Sequence, residues 1–188
     1  MLLQLMVNHF TPFLLTSLYQ IELMKTSLLA LFSILIVPSL CFGQSFKLHA
    51  PNVTKLKIEL EKNNSNEVIY LYLSHYYKPS SDKLNVKKYD YSNDYICSFR
   101  QEFENKISYS IDQCEEAGGI RVTIELPKIR KEQVKQWVEA IYKAEITDIP
   151  NLWYSESNIY GPADEGVGCY YEIKPSSEQW IVEVYCGC

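Results

Sequence analysis

Cysteines are the most reactive side chains in this 188-residue sequence, and their spacing limits the chemistry available to them. No pair has the C-x-x-C spacing of a zinc ribbon or a thioredoxin site, and no histidine lies close to them in the sequence. In an exported protein, such cysteines oxidise to structural disulfides. The disulfide candidates are the five cysteines that follow residue 44: Cys97, Cys114, Cys169, Cys186 and Cys188.

One pairing depends on the turn of a predicted hairpin. A two-residue turn at Asn105 and Lys106 would place Cys97 opposite Cys114 in a non-hydrogen-bonded pair, where two backbones approach closely enough for a disulfide. A three-residue turn would instead bring the apolar side chains of both strands onto one face. A bulge would satisfy both demands.

A second pairing follows from a hairpin predicted at the end of the sequence. This hairpin places Cys169 within one or two positions of Cys186 or Cys188, depending on the register of the strands. Five is an odd number, so one thiol stays free or forms a disulfide between chains.

Titratable side chains show no motif that would indicate catalysis or metal binding. His75 lies at the end of a predicted strand, where it could act as a general base, but a histidine without a positioned partner is more often solvated. The pairs Glu115-Glu116 and Asp164-Glu165 lie beside glycines and are typical of exposed turns. We therefore predict no metal and no cofactor. A hydrolase that uses carboxylates or His75 is the alternative function.

A polar segment at residues 153–166 carries three aromatic side chains among glycines and acidic residues. Aromatic anchors supply much of the energy at protein interfaces, so this segment predicts a recognition surface. In the other interpretation, Trp153 and Tyr154 cover the edge of the core, since large aromatic side chains are usually mostly buried. The predicted binding residues are Trp153, Tyr154, Tyr160, Asp164 and Glu165.

Residues 24–43 have the layout of a secretory signal peptide. Lys25 precedes an apolar run at residues 28–37, which ends at Pro38 and is followed by the small residue Gly43. This run is short against the roughly 20 residues of a membrane-spanning helix. Lipid attachment at Cys41 is a weaker alternative. Residues 1–23 contain no lysine or arginine, and we interpret them as a start-site artefact or an extension of the leader.

The remaining segment, residues 44–188, has the size of a single exported globular domain. The net charge of −5 argues against nucleic acid or an anionic membrane surface as the main partner. No phosphate-binding loop, dinucleotide fingerprint or internal repeat is present. We expect no stable membrane insertion once the leader has been removed.

Hydrophobic periodicity predicts the secondary structure. Alternation at residues 53–60 and a second apolar run at 68–73 predict a first hairpin, followed by a long exposed loop at 78–93. Alternating segments at 95–103, 107–111 and 120–126 predict a three-stranded meander, although 95–103 also fits a helical spacing. Residues 170–174 and 179–185 predict a terminal hairpin.

The clearest helical pattern covers residues 128–146. Apolar side chains recur there at the spacing of one helix face, formed by Val134, Trp137, Val138, Ile141 and Tyr142. The predicted fold is therefore α+β, an antiparallel sheet of hairpins and a meander with one long amphipathic helix packed across it.

These observations favour a small exported protein, periplasmic or secreted, that binds another protein of unknown identity and is not an enzyme. An envelope accessory, an enzyme inhibitor and a toxin-immunity protein all fit this description. An acidic inhibitor associates faster with a basic target, and a net charge of −5 would assist such association modestly.

Overall fold

Eight antiparallel strands form one open sheet, and three helices pack on it, in the part of the chain that the structure describes. This computed structural model describes residues 46–188 except 64–66, 93, 115–118, 146, 156 and 188, and the side chain of residue 63. The predicted leader, the segment before it, the Glu115-Glu116 turn and Cys188 lie outside the described residues. The α+β class is confirmed, but one long helix is not, because the described residues form three short to medium helices.

Two helices and four strands come first along the described chain, and a third helix separates them from four further strands. The helices are α1 (Val53–Asn63), α2 (Val68–Tyr76) and α3 (Lys131–Ala144). A 3-10 turn occupies Glu104–Lys106. The strands are β1 (Leu84–Lys88), β2 (Ile96–Phe103), β3 (Ile107–Asp112), β4 (Ile120–Pro127), β5 (Asn151–Trp153), β6 (Ile159–Pro162), β7 (Gly168–Pro175) and β8 (Gln179–Gly187).

The sheet consists of two four-stranded meanders joined at its centre. Its strand order is β1-β2-β3-β4-β8-β7-β6-β5, so β4 pairs with β8 across a connection that contains α3. Central register pairs such as Val122 with Val184 and Ile124 with Val182 place β-branched side chains side by side. The meander predicted for β2, β3 and β4 is confirmed, and so is the terminal hairpin of β7 and β8.

Successive side chains of each strand point to opposite faces of the sheet. The three helices cover one face, called the helix face below, and the other is called the open face. On the helix face, buried side chains such as Tyr109, Ile124 and Tyr171 form the core with the apolar sides of the helices. Aromatic contacts join the helices to this face of the sheet. The ring centroid of Tyr70 in α2 lies 5.3 Å from that of Tyr109, and the ring centroid of Tyr142 in α3 lies 6.0 Å from that of Tyr171. The open face carries mostly polar side chains.

Residues 53–60, predicted as a strand, belong to helix α1. The buried residues Leu56 and Leu60 are four apart, the spacing of a helix face, whereas Ile58 between them is exposed. The side-chain Oδ1 of Asn52 accepts a hydrogen bond from the Lys55 N–H at 3.0 Å, which caps the start of the helix.

The predicted first hairpin is therefore wrong, because residues 68–73 also form a helix. Tyr72 and Leu73 of α2 are fully buried, and the Tyr72 ring lies 5.7 Å from that of Trp137 in α3. A short apolar run is compatible with either a strand or a buried helix, and here packing against α3 determines the helical state.

Helix α3 buries the stripe predicted for it, but it is one of three described helices and has 14 residues. The segment predicted as a loop at residues 78–93 also contains a strand, β1. This strand pairs with β2 through two register shifts, and Asn85 has a φ of 52°. Such irregularities are typical of edge strands.

Cys97 and Cys114 form a disulfide with a Cα–Cα distance of 4.8 Å. Of the turns considered for this hairpin, the structure has the three-residue one, because the 3-10 turn at Glu104–Lys106 pairs Phe103 with Ile107. The apolar side chains of β2 and β3 therefore share one face. The Cys97 carbonyl accepts a hydrogen bond from the Gln113 N–H, so Gln113 lies opposite Cys97. The disulfide therefore joins Cys97 to the residue that follows Gln113 in the chain.

Cys169 and Cys186 form the second disulfide. They are direct partners in the β7–β8 register, with a Cα–Cα distance of 4.1 Å. The terminal hairpin thus selects Cys186 as the partner of Cys169. None of the described helices combines the length and apolarity required to cross a bilayer.

Candidate functional site

The aromatic side chains of residues 153–166 separate onto different parts of the molecule. Trp153 packs against α3, where its Nε1–H donates to Glu139 Oε1 at 2.7 Å and Lys135 Nζ lies 4.3 Å from its ring centroid. Tyr160 is buried in the core between Trp153 and Tyr142. For Trp153 the structure thus shows a side chain that covers the edge of the core.

The other predicted binding residues lie apart from these two. Tyr154 is half-buried, and its hydroxyl donates to the Pro162 carbonyl at 2.9 Å. Asp164 and Glu165 are exposed in a turn, where Asp164 Oδ1 accepts the Gly166 N–H at 3.1 Å. The five predicted residues therefore do not form one continuous surface. Two β-strands, β5 and β6, pass through this segment and direct its side chains to opposite faces of the sheet.

The two most exposed of the large hydrophobic side chains in the described residues lie instead on the hairpin of β1 and β2. Nine large hydrophobic side chains are exposed among the described residues, and four of them belong to this hairpin. Tyr91 and Tyr95 at its tip are 68% and 69% exposed, and Leu84 and Val86 in β1 are 44% and 43% exposed. These four side chains are called the hairpin patch below.

The hairpin is ordered by its own contacts although its side chains are exposed. The Tyr89 N–H donates to the Tyr95 carbonyl at 3.2 Å, and the Tyr89 and Tyr91 rings stack with centroids 5.0 Å apart. At its base, Lys83 Nζ lies 4.1 Å from the Phe99 ring centroid. These contacts link the described residues on the two sides of the hairpin and tie its base to the sheet.

The hairpin patch was not predicted from the sequence, because the polar residues of 78–93 suggested a solvated loop. One signal was present: Leu84 and Val86 alternate with Asn85 and Lys87, a pattern typical of a strand. The exposure of both apolar side chains follows from the position of β1 at the edge of the sheet, which sequence periodicity does not show.

The open face carries a shallow cleft of about 150 Å³. Arg121 of β4 pairs in register with Tyr185 of β8, and both line the cleft with Tyr170. Most charges on this face are already paired: Lys174 Nζ lies 2.7 Å from Glu183 Oε2, which also lines the cleft. Because such charges are satisfied within the protein, they contribute little to a binding site.

His75 has a partner that the sequence did not reveal. Its Nε2 contacts Glu59 of α1, and its Nδ1 lies 3.5 Å from Lys55 Nζ. Among the described residues, no serine, threonine or cysteine side chain is hydrogen-bonded to His75, and the cluster lies on an exposed surface. A hydrolase would need a nucleophile or a bound water at this histidine. The described residues also contain no group of three or more possible metal ligands.

Comparison with protein-family models, with curated proteins and with solved structures found no match.

Proposed function

We propose that this protein is a small, exported, non-enzymatic binding protein that recognises a protein partner through the hairpin patch. The observation that carries this proposal is the exposure of Tyr91 and Tyr95 together with Leu84 and Val86 on one hairpin. Tyrosines are enriched among the residues that dominate interface energies, and exposed apolar clusters commonly mark interaction sites.

The cysteines and the predicted leader support an oxidising compartment outside the cytosol. Two disulfides, Cys97–Cys114 and Cys169–Cys186, are expected to persist in an oxidising environment such as a periplasm or the extracellular space. The predicted signal peptide at residues 24–43 supports the same location. The partner would then be an envelope or secreted protein.

Site-specific cross-linking tests this proposal. A photoreactive phenylalanine analogue at position 91 is expected to capture one dominant partner from the native envelope or secreted fraction. The same analogue at position 185 is the matched control, because Tyr185 is also an exposed tyrosine but lies four strands away from β1.

Affinity measurements with the captured partner complete the test. The Tyr91→Ala/Tyr95→Ala variant is expected to lose at least ten-fold in affinity, since two interface tyrosines contribute about 1–2 kcal/mol or more. The Tyr185→Ala variant is expected to bind like the natural protein. Equal binding by both variants would refute the hairpin patch as the contact surface.

A further inference from the structure

The open face of the sheet carries an arginine that the described residues leave unpaired. Arg121 of β4 is exposed and forms no ion pair with any described carboxylate, whereas Arg100 on the same face has its Nη2 2.8 Å from Glu102 Oε1. Asp112 is the register partner of Arg121, but its Oδ1 accepts the Cys114 N–H at 3.3 Å. The Arg121 guanidinium therefore keeps its hydrogen-bond donors available to a ligand.

Two tyrosine rings beside Arg121 lie along the sheet over glycines. Tyr185 is the register partner of both Arg121 and Tyr170, so these three side chains form one row across β4, β8 and β7. A Cβ atom at Gly187 would lie 2.5 Å from the Tyr185 hydroxyl oxygen. A Cβ atom at Gly161 would lie 2.7 Å from Cδ1 of Tyr170. The absence of a side chain at these two positions therefore lets both rings lie close to the sheet.

The Tyr170 ring is fixed by further contacts. Its hydroxyl donates to the Gly166 carbonyl at 2.6 Å, and the Tyr154 ring meets it edge-on with the two centroids 6.5 Å apart. An aromatic ring over a glycine also stabilises a sheet by itself. The polar groups beside the two rings are what distinguish a binding site from such packing.

Two carboxylates line the same cleft as Arg121 and the tyrosines. Glu172 and Glu183 are register partners, and Lys174 Nζ lies 3.1 Å and 2.7 Å from their Oε2 atoms. Their Oε1 atoms form no ion pair with the described residues, so these oxygens can accept hydrogen bonds from a ligand. The positive charges of Arg121 and Lys174 balance the two negative charges, which favours an uncharged ligand.

We propose that this cleft binds one neutral sugar ring. A sugar ring carries adjacent hydroxyl groups, which donate and accept hydrogen bonds, and a face of C–H groups. Arg121 donates to the sugar oxygens, and the two carboxylates accept from its hydroxyls. The C–H face packs on the tyrosine rings, whose faces carry negative charge density. The cleft volume of about 150 Å³, with Ile159 as an apolar wall, suits a single ring that stays partly exposed.

A charged ligand fits these groups less well. A carboxylate or a phosphate is attracted by Arg121 but repelled by both glutamates, and an ammonium group is repelled by Arg121 and Lys174. The sugar can be a free monosaccharide or one ring of a longer glycan, because the cleft is open to solvent along the sheet.

The cleft is separate from the hairpin patch. Its lining residues belong to β4, β6, β7 and β8, whereas the patch belongs to the hairpin of β1 and β2. Failure of sugar binding would leave the proposed protein contact intact, and failure of that contact would leave the sugar site intact.

NMR titration of the natural, disulfide-bonded protein tests the proposal. Glucose, galactose, mannose and N-acetylglucosamine are added separately, and at least one is expected to shift the backbone amides of Arg121, Tyr170 and Glu183 in a saturable way. The Arg121→Gln variant is expected to bind that sugar about ten-fold more weakly, because hydrogen bonds from a charged donor are lost. The matched control is Arg100→Gln, which removes a paired arginine from the same face and is expected to bind the sugar like the natural protein.

Trisaccharides of the same four sugars separate the two sources. Tighter binding of a trisaccharide than of its monosaccharide assigns the cleft to one ring of a glycan, and equal binding assigns it to a free sugar. No saturable shift with any of these sugars would overturn the proposal, and so would equal weakening in the two arginine variants. Sodium acetate that saturates the same amides at lower concentration than every sugar would overturn it in favour of an anion site.

Discussion

Removal of the Cys169–Cys186 disulfide is expected to destabilise the protein by about 3 kcal/mol. The bridge joins residues separated by 17 positions, and closing a loop of this size lowers the entropy of the unfolded chain by an amount worth roughly 3 kcal/mol at 25 °C. The Cys97–Cys114 bridge has the same separation, so it removes the same entropy. The two loops do not overlap in the sequence, and their contributions are expected to add.

The two bridges differ in burial, which makes each a control for the other. Cys97 is fully buried, whereas Cys169 and Cys186 are half-buried. Replacing both cysteines of the buried bridge with alanine is therefore expected to cost about 1 kcal/mol more, because buried contacts are lost as well. Losing both bridges would cost roughly 6–7 kcal/mol, which is comparable to the whole stability of a typical domain.

Urea unfolding followed by tryptophan fluorescence measures these differences. Each double alanine variant is made in a Cys188→Ala background, which prevents a remaining thiol from forming a non-native bridge. The slope of the unfolding free energy against urea is expected to increase, because an uncrosslinked chain exposes more surface when unfolded. A loss below about 1 kcal/mol for either bridge would refute the loop-entropy reasoning for that bridge.

Three further predictions concern single positions. Trp137→Ala is expected to destabilise by about 3–5 kcal/mol in urea unfolding, since Trp137 of α3 is buried against Tyr72 of α2; near-natural stability would contradict this packing. Gly119→Ala should cost more than about 1 kcal/mol, because Gly119 has a φ of 74° and an added Cβ would lie 2.5 Å from the Cys186 carbonyl oxygen. Tyr91→Ala should change the melting temperature little, because its side chain is mostly exposed.

The strands and the helix whose apolar residues recur with a strong local period were predicted correctly from the sequence. The alternation of apolar residues in β2, β3, β4 and β8 places every second side chain on the helix face, and the structure buries them there. The helical stripe of α3 spans four turns, so no strand could bury it on one face. Hairpin geometry brought Cys97 near Cys114 and Cys169 near Cys186 or Cys188, but the register that decides each pairing came from the structure.

Predictions failed where the local pattern allows two structures. Leu56 and Leu60 fit both a strand face and a helix face, and only their packing in the shared core with Trp137 favours the helix. The register of β2 and β3 depended on one residue in the turn, which the burial of Phe99 and Phe103 decides.

The location of the candidate site was decided by the tertiary structure. The sequence indicated that aromatic side chains are available for binding, but it did not show that Trp153 and Tyr160 are used for packing while Tyr91 and Tyr95 stay exposed. Composition and periodicity determined the fold class and the cysteine chemistry, because these depend on local geometry. The exposure of individual side chains and the register of the strands were decided by which surfaces the folded chain buries.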